Sequence, residues 1–127
     1  MALIEGVCKE VIDKSEWVAI ATAGKEGPHL VATWGDYVQT LDASGETFVI
    51  PAGRMQETER NISADNRIEL LFASRQVQGS RSPGQGCCVS GTAEFQYAGA
   101  AMEKLKSRFP WARAALVVTV TSAKTQL

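Results

Sequence analysis

The sequence predicts a mainly β fold in which six strands form a mostly antiparallel sheet, closed into a small barrel with helices at its margins. Short runs of β-forming residues follow one another with tight turns, and the predicted helices interrupt them without regular strand–helix alternation. The chain has 127 residues, of which 45% are hydrophobic, so we expect a single domain over residues 1–127. Because six strands are few for a barrel, a sheet packed on a second subunit is the alternative.

The net charge and the N-terminal residues indicate which partners and which compartment to expect. Thirteen lysines and arginines balance 14 aspartates and glutamates, which leaves no overall field and no basic run for nucleic acid. Residues 1–16 interrupt their apolar residues with acidic ones, unlike a signal peptide or a membrane-spanning segment. We therefore expect a cytoplasmic protein with no nucleic-acid and no membrane partner.

The first elements are a helix and a hairpin. Apolar residues recur at three- and four-residue spacing over residues 3–12, which is typical of an amphipathic helix. Residues 17–22 and 29–34 are runs of β-formers. The connection between them contains two glycines, so the two runs predict a β-hairpin.

A planar ligand would fit the end of this hairpin. The second strand closes with Thr33 and Trp34, and Tyr37 follows, so a hydroxyl and two flat rings meet at one end of the sheet. Thr58 and Trp111 add a hydroxyl and a ring from later in the chain. The alternative interpretation places these residues in the core or at its rim, because tryptophans usually bury most of their surface.

The middle of the chain contains a third strand and a second helix. A run of β-formers that begins at residue 47 ends at Pro51, and the polar residues 54–62 contain no helix breaker. With Gly53 in the turn, the strand and the helix start would aim backbone N–H groups at an anion. Arg54 and Thr58 would add a charge and a hydroxyl. The alternative is a solvated surface helix.

The last part of the chain predicts two strands, a helix and a final strand. Strands at residues 67–74 and 87–97 flank residues 76–86, whose three glycines and one proline indicate a long exposed loop. A helix over residues 99–109 ends before a proline, and the last strand covers residues 114–121. A polar tail with an apolar last residue completes the chain.

Few residues carry a catalytic or metal-binding pattern. His29 is the only histidine, which excludes a multi-histidine metal site, and its position at a strand start is typical of an exposed or capping residue. The serines lack a nucleophile-elbow pattern, and residues 79–86 lack the lysine of a phosphate-binding loop.

The three cysteines form no metal-binding pattern. Cys87 and Cys88 are neighbours on a predicted strand and therefore point to opposite faces. With Cys8 they make an odd count, so we expect no structural disulfide. Buried free thiols are the preferred interpretation, and a redox-active thiol is the alternative.

Several stretches carry a resemblance in register over nearly the whole chain. They include VAIAT at residues 18–22, GPHLV at 27–31, TW at 33–34 and WARAALV at 111–117, with Pro51 and Gly53 between them. Together these motifs resemble the flavin split-barrel superfamily of pyridoxamine 5′-phosphate oxidase-like proteins, and within it the small FMN-binding proteins of sulfate-reducing bacteria. The resemblance implies a six-stranded antiparallel split β-barrel that forms a homodimer, with one FMN per subunit near the dimer interface.

The resemblance also implies roles for individual residues. Thr33 and Thr58 would contact the FMN phosphate, and Trp34 and Tyr37 would lie near the isoalloxazine ring. The other implied contacts come from backbone or side chains around the flavin: Pro51, Gly53, Trp111 and Leu127, the last from the partner subunit. No residue is implied as a catalytic acid or base.

Two positions depart from the family's pattern near the expected phosphate. Glu57 stands where the family has a lysine, and Ala32 stands where it has an asparagine. A carboxylate at residue 57 would repel a phosphate dianion. Arg54 replaces a glycine of the family, and we hypothesise that it restores the positive charge so that FMN remains the ligand.

With the resemblance, we interpret the protein as an FMN-dependent electron-transfer protein or oxidoreductase, and a small redox partner and a nicotinamide donor are the alternative electron partners. A pyridoxamine-phosphate-like oxidase is the second enzyme interpretation, although the sequence has no separate basic cluster for a second phosphate. From another class, the protein could bind flavin or haem without catalysis, with His29 as the only histidine for haem iron. A cofactor-free structural dimer is the remaining alternative.

Overall fold

The computed structural model describes residues 2–127, which form three helices and seven strands. No helix in this part of the chain is long and apolar enough to cross a membrane. A single 3₁₀ turn, Gly35–Tyr37, follows the second strand. In chain order the elements are α1 (Gly6–Lys14), β1 (Trp17–Gly24), β2 (Gly27–Trp34), β3 (Gln39–Thr40), β4 (Thr47–Ala52), α2 (Gln56–Ala64), β5 (Arg67–Gln78), β6 (Pro83–Gln96), α3 (Ala100–Lys106) and β7 (Ala114–Thr125).

The strands form one antiparallel sheet in the order β2-β1-β5-β6-β7-β4-β3. This arrangement confirms the predicted mainly β, antiparallel fold with helices at its margins. The sheet is not closed, because β2 and β3 are its two edges, and it holds one strand more than the six predicted. The additional strand is β3, whose Gln39 and Thr40 pair with Val49 and Phe48. A strand of two residues is too short to leave a pattern in the sequence.

Strands β5 and β6 are longer than the sequence predicted. The prediction of an exposed loop at residues 76–86 is wrong, because β5 continues to Gln78 and β6 begins at Pro83. A tight turn joins them, in which the backbone N–H of Gly79 donates to the carbonyl of Ser82 at 2.9 Å. The expected tail is also part of the sheet, since β7 continues to Thr125, opposite Cys87 of β6.

The main core lies between α1 and the inner face of the sheet. The hairpin predicted from residues 17–34 is confirmed, and its first strand buries alternate residues such as Val18 and Ile20. The rings of Phe48 and Phe72 meet edge to face with centroids 6.0 Å apart. Burial of such side chains supplies most of the stabilising free energy.

A second, smaller core cluster lies beside α3. Leu105 of α3 and the following Phe109 pack with Val49 of β4, and Tyr37 packs against this cluster from the 3₁₀ turn. The cluster therefore brings residues from the end of the hairpin close to the end of β4, where α2 begins.

Candidate functional site

The turn from β4 into α2 has an unusual backbone. Pro51 pairs with Ala115 of β7. No residue of β3 lies opposite Pro51, because the nearest residue of β3 is Gln39, which pairs with Val49. The missing proline N–H therefore costs no bond to β3. Met55 has φ 55° and ψ 37°, the only left-handed non-glycine residue among residues 2–127. Such a conformation costs on the order of 1 kcal/mol and clusters at ligand sites.

Helix α2 starts directly after this turn and lacks a side-chain cap. The first N–H groups of a helix have no partner within the helix, and they carry the positive end of its dipole. A turn that includes a left-handed residue can present successive N–H groups to one anion. The start of α2 therefore has the backbone geometry of an anion site.

Arg113 holds the turn from one side. Its Nε donates to the carbonyl of Gly53 at 3.1 Å, its Nη2 donates to the carbonyl of Arg54, and its backbone N–H donates to Ala52 at 2.9 Å. Because a trans peptide points its C=O and N–H in opposite directions, the N–H groups of Arg54 and Met55 point away from Arg113. The arginine thus fixes the orientation of the N–H groups in the turn.

A carboxylate and a phenol fix the position of Arg113. Glu59 of α2 accepts a hydrogen bond from Arg113 Nη2 at 2.8 Å and another from the hydroxyl of Tyr97. The bond from Arg113, and to a smaller extent the bond from Tyr97, lowers the pKa of Glu59. The bond donated to Glu59 raises the pKa of Tyr97. Glu59 is therefore ionised and Tyr97 protonated at neutral pH.

Two buried polar atoms near α2 have no hydrogen-bond partner. Thr58 is fully buried, and neither its Oγ1 nor the Nε2 of His29 has a partner within residues 2–127. In contrast, the hydroxyl of Thr22 accepts a bond from Asn61 Nδ2 at 3.1 Å. An unpaired buried polar group costs about 1–3 kcal/mol. The hydroxyl of Thr58, in the first turn of α2, is thus a buried donor with no partner among the described residues.

His29 is half-buried instead of exposed or capping as predicted. A Cβ added to Gly24 would lie 3.6 Å from Asn61 Nδ2 and 3.7 Å from His29 Cβ, which places the imidazole next to α2. Within residues 2–127 no group of three metal-binding side chains occurs.

Three aromatic rings lie beside the same turn. The ring of Tyr37 is 4.9 Å from Phe109 and 5.8 Å from Trp111, and the last two rings are 5.7 Å apart, measured between centroids. A Cβ on Gly53 would be 3.3 Å from Cε3 and Cζ3 of Trp111, so the indole packs directly on this glycine. Half of Trp111 remains exposed. The turn therefore has a flat apolar surface next to its backbone N–H groups.

The structure brings together most of the residues that the resemblance implied. Trp111 contacts both Tyr37 and Gly53, and Arg54 and Thr58 follow Gly53 in the same turn and helix start. Thr33 is buried on β2, which packs against α2.

Trp34 is separate from the aromatic cluster. It lies on the outer face of the sheet opposite Trp17 and is about half exposed. The expectation that Trp34 and Tyr37 lie together is therefore not met within one chain.

Leu127 lies far from the aromatic cluster of its own chain. Gln85 holds its backbone, accepting from the Leu127 N–H at 2.6 Å and donating to its carbonyl. Trp111 precedes β7 and Leu127 follows it, and this strand has 12 residues, which corresponds to roughly 35 Å at about 3.3 Å per residue. A Leu127 that contacts Trp111 must therefore come from a second chain.

The two departures from the family's pattern take different positions. Glu57 accepts a bond from Arg60 at 2.8 Å on the exposed side of α2, and this bond lowers the pKa of Glu57. Ala32 is exposed on the outer face, opposite Ala19, whereas Thr33 next to it is buried. The carboxylate therefore has its own cation, and the alanine points away from the buried side of β2.

The outer face of β2, β1 and β5 carries an apolar patch beside the charged Arg67 and Glu69. Its exposed large side chains are Trp17, Leu30, Trp34 and Leu71, whereas the solvated face of an antiparallel sheet is usually polar. An apolar patch of this kind marks an interaction surface. A groove of about 740 Å³ continues from this face between Pro28 and Ser90, apart from the Gly53–Trp111 contact.

Sequence reasoning missed the residues that hold the turn in place. Arg113, Glu59 and Tyr97 were not among the predicted site residues, and Phe109 was assigned only to a helix. Arg113 does stand within the matched stretch at residues 111–117. A signal was therefore present for Arg113 but not for Tyr97.

Comparisons with known proteins give one consistent family. The family model described as pyridoxamine 5′-phosphate oxidase matches residues 4–126. The chain is 44% identical over 125 residues to the FMN-binding protein of Nitratidesulfovibrio vulgaris (strain DSM 19637 / Miyazaki F), and the alignment covers 98% of this chain and 100% of that protein.

Solved structures share the fold. HupZ of Group A Streptococcus superposes with a TM-score of 0.77 at 24% identity, over 97% of this chain and 99% of that chain. A protein related to general stress protein 26 from Clostridium acetobutylicum, of the pyridoxinephosphate oxidase family, has a TM-score of 0.66 at 20% identity over 93% of this chain and 84% of that chain. At these identities the likeness shows the fold alone, a split barrel.

Proposed function

Because the chain belongs to the pyridoxamine 5′-phosphate oxidase family, we propose that it is an FMN-binding flavoprotein that acts in electron transfer or as a flavin-dependent oxidoreductase. The observation that carries this proposal is the buried, unpartnered hydroxyl of Thr58 in the uncapped first turn of α2. A phosphate at this position would accept from Thr58 and from the N–H groups that Arg113 orients. Arg54 would add a positive charge.

The residues present also fit the isoalloxazine ring. Gly53 has no Cβ, so the indole of Trp111 packs directly on the backbone of the turn, and Trp111 and Tyr37 together offer a flat apolar surface there. Bound FMN would supply the redox step, and the chain would supply its position, its polarity and its access to partners. Thr33 and Pro51 remain proposed contacts.

We propose that the protein is a homodimer with FMN at the interface. Two observations support this proposal: the exposed apolar outer face of the sheet, and the length of β7 that separates Trp111 from Leu127 in one chain. In a dimer with twofold symmetry each chain would offer its Leu127 to the partner's flavin and receive the other in return.

The absorption spectrum of the purified protein tests the cofactor. We expect the paired near-ultraviolet and blue bands of flavin, whereas a bound haem would give one intense Soret band. Anaerobic titration with NADH and NADPH then separates the two redox roles, because bleaching indicates a nicotinamide-dependent reductase and its failure indicates a protein partner. A colourless protein that takes up no added FMN would contradict the proposal.

Replacing Arg54 with alanine should weaken FMN binding by about tenfold, because one charge-assisted contact with the phosphate is lost. Riboflavin, which has no phosphate, should bind the variant as it binds the wild type. Titration of the apoprotein with both flavins, followed by flavin fluorescence, measures the difference. Arg81→Ala, at an exposed arginine in the β5–β6 turn, is the matched control, and an Arg54 variant with unchanged FMN affinity would refute the charge replacement at residue 57.

Replacing Gly53 with alanine should weaken the binding of FMN and of riboflavin equally. The added Cβ would lie 3.3 Å from the indole of Trp111, on the side of the proposed site that would hold the isoalloxazine ring. We expect the affinity for both flavins to fall several-fold and the free energy of unfolding to fall by about 1 kcal/mol or less. The same titration measures it. Restored riboflavin affinity in Gly53→Ala/Trp111→Phe would support this cause, and a loss confined to FMN would contradict it.

A further inference from the structure

Two cysteines from distant parts of the chain meet in the main core. Cys8 lies on α1 and Cys87 lies on β6, 79 positions later, and their Sγ atoms are 2.7 Å apart. Both side chains are buried and both are free thiols. Non-bonded carbon atoms usually approach to about 3.5–4.0 Å and a disulfide bond measures about 2.05 Å, so the two sulfurs are already close to bonding distance.

Cys88 does not belong to this pair. It is the neighbour of Cys87 on β6, so its side chain points to the other face of the sheet, where its Sγ is 4.0 Å from Glu69 Oε2. The prediction that Cys87 and Cys88 face opposite ways is confirmed. The fold therefore sorts three cysteines into one facing pair and one separate thiol.

We propose that Cys8 and Cys87 are a redox modification site, at which a small-molecule disulfide such as glutathione disulfide converts the two thiols into a disulfide between α1 and β6. The two thiols lose two protons and two electrons as their S–S bond forms. The S–S bond of the oxidant breaks, and it leaves as two glutathione thiols. The reaction needs no flavin and does not rest on the function proposed above.

The first exchange takes place at Cys8. Helix α1 has nine residues, lacks a side-chain cap at its start and begins at Gly6 with φ 57°, and the exchange requires this helix to open locally while the sheet stays folded. The thiolate of Cys8 attacks the oxidant and releases one glutathione. Cys87 then attacks the Cys8 sulfur and releases the second.

The core environment makes the second step slow at neutral pH. Burial, and then the neighbouring Cys8, raise the pKa of Cys87, so few molecules carry its thiolate. Because thiolates are the attacking species, the bond should form faster as the pH rises. Once formed, it would fix α1 to β6 two residues from Gln85, which holds the backbone of Leu127.

Oxidation of the intact protein with glutathione disulfide tests the proposal. After remaining thiols are blocked with a maleimide, peptide mapping should show Cys8 linked to Cys87 and label only on Cys88. The melting temperature should rise by about 10 °C, because a bond across so long a loop restricts the unfolded chain. Dithiothreitol should reverse the bond and the rise.

Two variants sharpen this test. Cys88→Ser should form the bond and show the same shift in melting temperature, whereas Cys8→Ala should show neither. If Cys8→Ala does not fold, the peptide map of the wild type decides alone. Label on all three cysteines, a bond that includes Cys88, or glutathione retained on Cys8 would overturn the proposal.

Discussion

Replacing Thr58 with valine should make the flavin-free protein more stable and its FMN complex weaker. Valine has almost the same shape as threonine, and the substitution removes a buried hydroxyl that has no partner. The relief is about 1–2 kcal/mol, which would raise the melting temperature by about 5 °C. FMN affinity should fall tenfold or more, because the phosphate loses a donor, while riboflavin affinity should change little.

Opposite changes in stability and affinity separate a ligand-binding hydroxyl from a structural one. Thr22→Val is the matched control, because its hydroxyl already accepts from Asn61 Nδ2 at 3.1 Å. That variant should lose about 1–3 kcal/mol, since the amide would be left unpaired. Calorimetry of the apoproteins and flavin titration measure both quantities. A Thr58 variant that loses stability would show that the hydroxyl has a structural role in the flavin-free protein, and one that binds FMN as tightly as the wild type would show that it has no role at the phosphate.

Replacing Arg113 with alanine should lower both stability and FMN affinity. The side chain donates to the carbonyls of Gly53 and Arg54 and to Glu59, and it is about one-third exposed, so we expect a stability loss of about 2 kcal/mol. The freed turn would no longer hold its N–H groups toward the phosphate. FMN affinity should therefore fall by about ten- to a hundredfold, with a smaller loss for riboflavin.

Conservative variants test whether Arg113 positions the turn. Arg113→Lys keeps the charge but cannot bond both carbonyls and Glu59 at once, so it should remain nearly as weak as the alanine variant. Glu59→Gln keeps an acceptor for the arginine and should retain most of the affinity. Arg81→Ala removes an exposed arginine in the β5–β6 turn and should change neither quantity much. An Arg113→Ala protein that is less stable but binds FMN normally would limit Arg113 to a structural role.

The parts of the fold that the sequence predicted well are those with strong local patterns. The hairpin at residues 17–34 has β-formers on both sides of a glycine-containing turn, and its register follows from these residues. Residues 76–86 misled because their glycines and proline are typical of a loop. In the structure most of them lie in β5 and β6, whose pairing resumes between Gln78 and Pro83 after an irregularity that follows Ser74. Tertiary pairing here outweighs local composition.

Part of the site was predictable from the residues alone. Tyr37 and Trp111 were named for their rings and Gly53 for its place in the turn before α2, and in the structure Trp111 contacts both of the others. The role of Arg113 depends on the two carbonyls it binds, about sixty positions earlier in the chain. No local pattern encodes a side chain that binds a distant part of the backbone, so this role is apparent only in the folded structure.

The length of β7 has a consequence for how defects combine. In the proposed dimer, each flavin would be enclosed by Trp111 of one chain and Leu127 of the other, because these two residues lie beyond opposite ends of β7 within one chain. In a mixed dimer of one chain altered at Trp111 and one chain lacking Leu127, both defects would lie at the same flavin site. The second flavin site would be intact. Two inactive parents would thus complement each other, with half of the normal flavin stoichiometry.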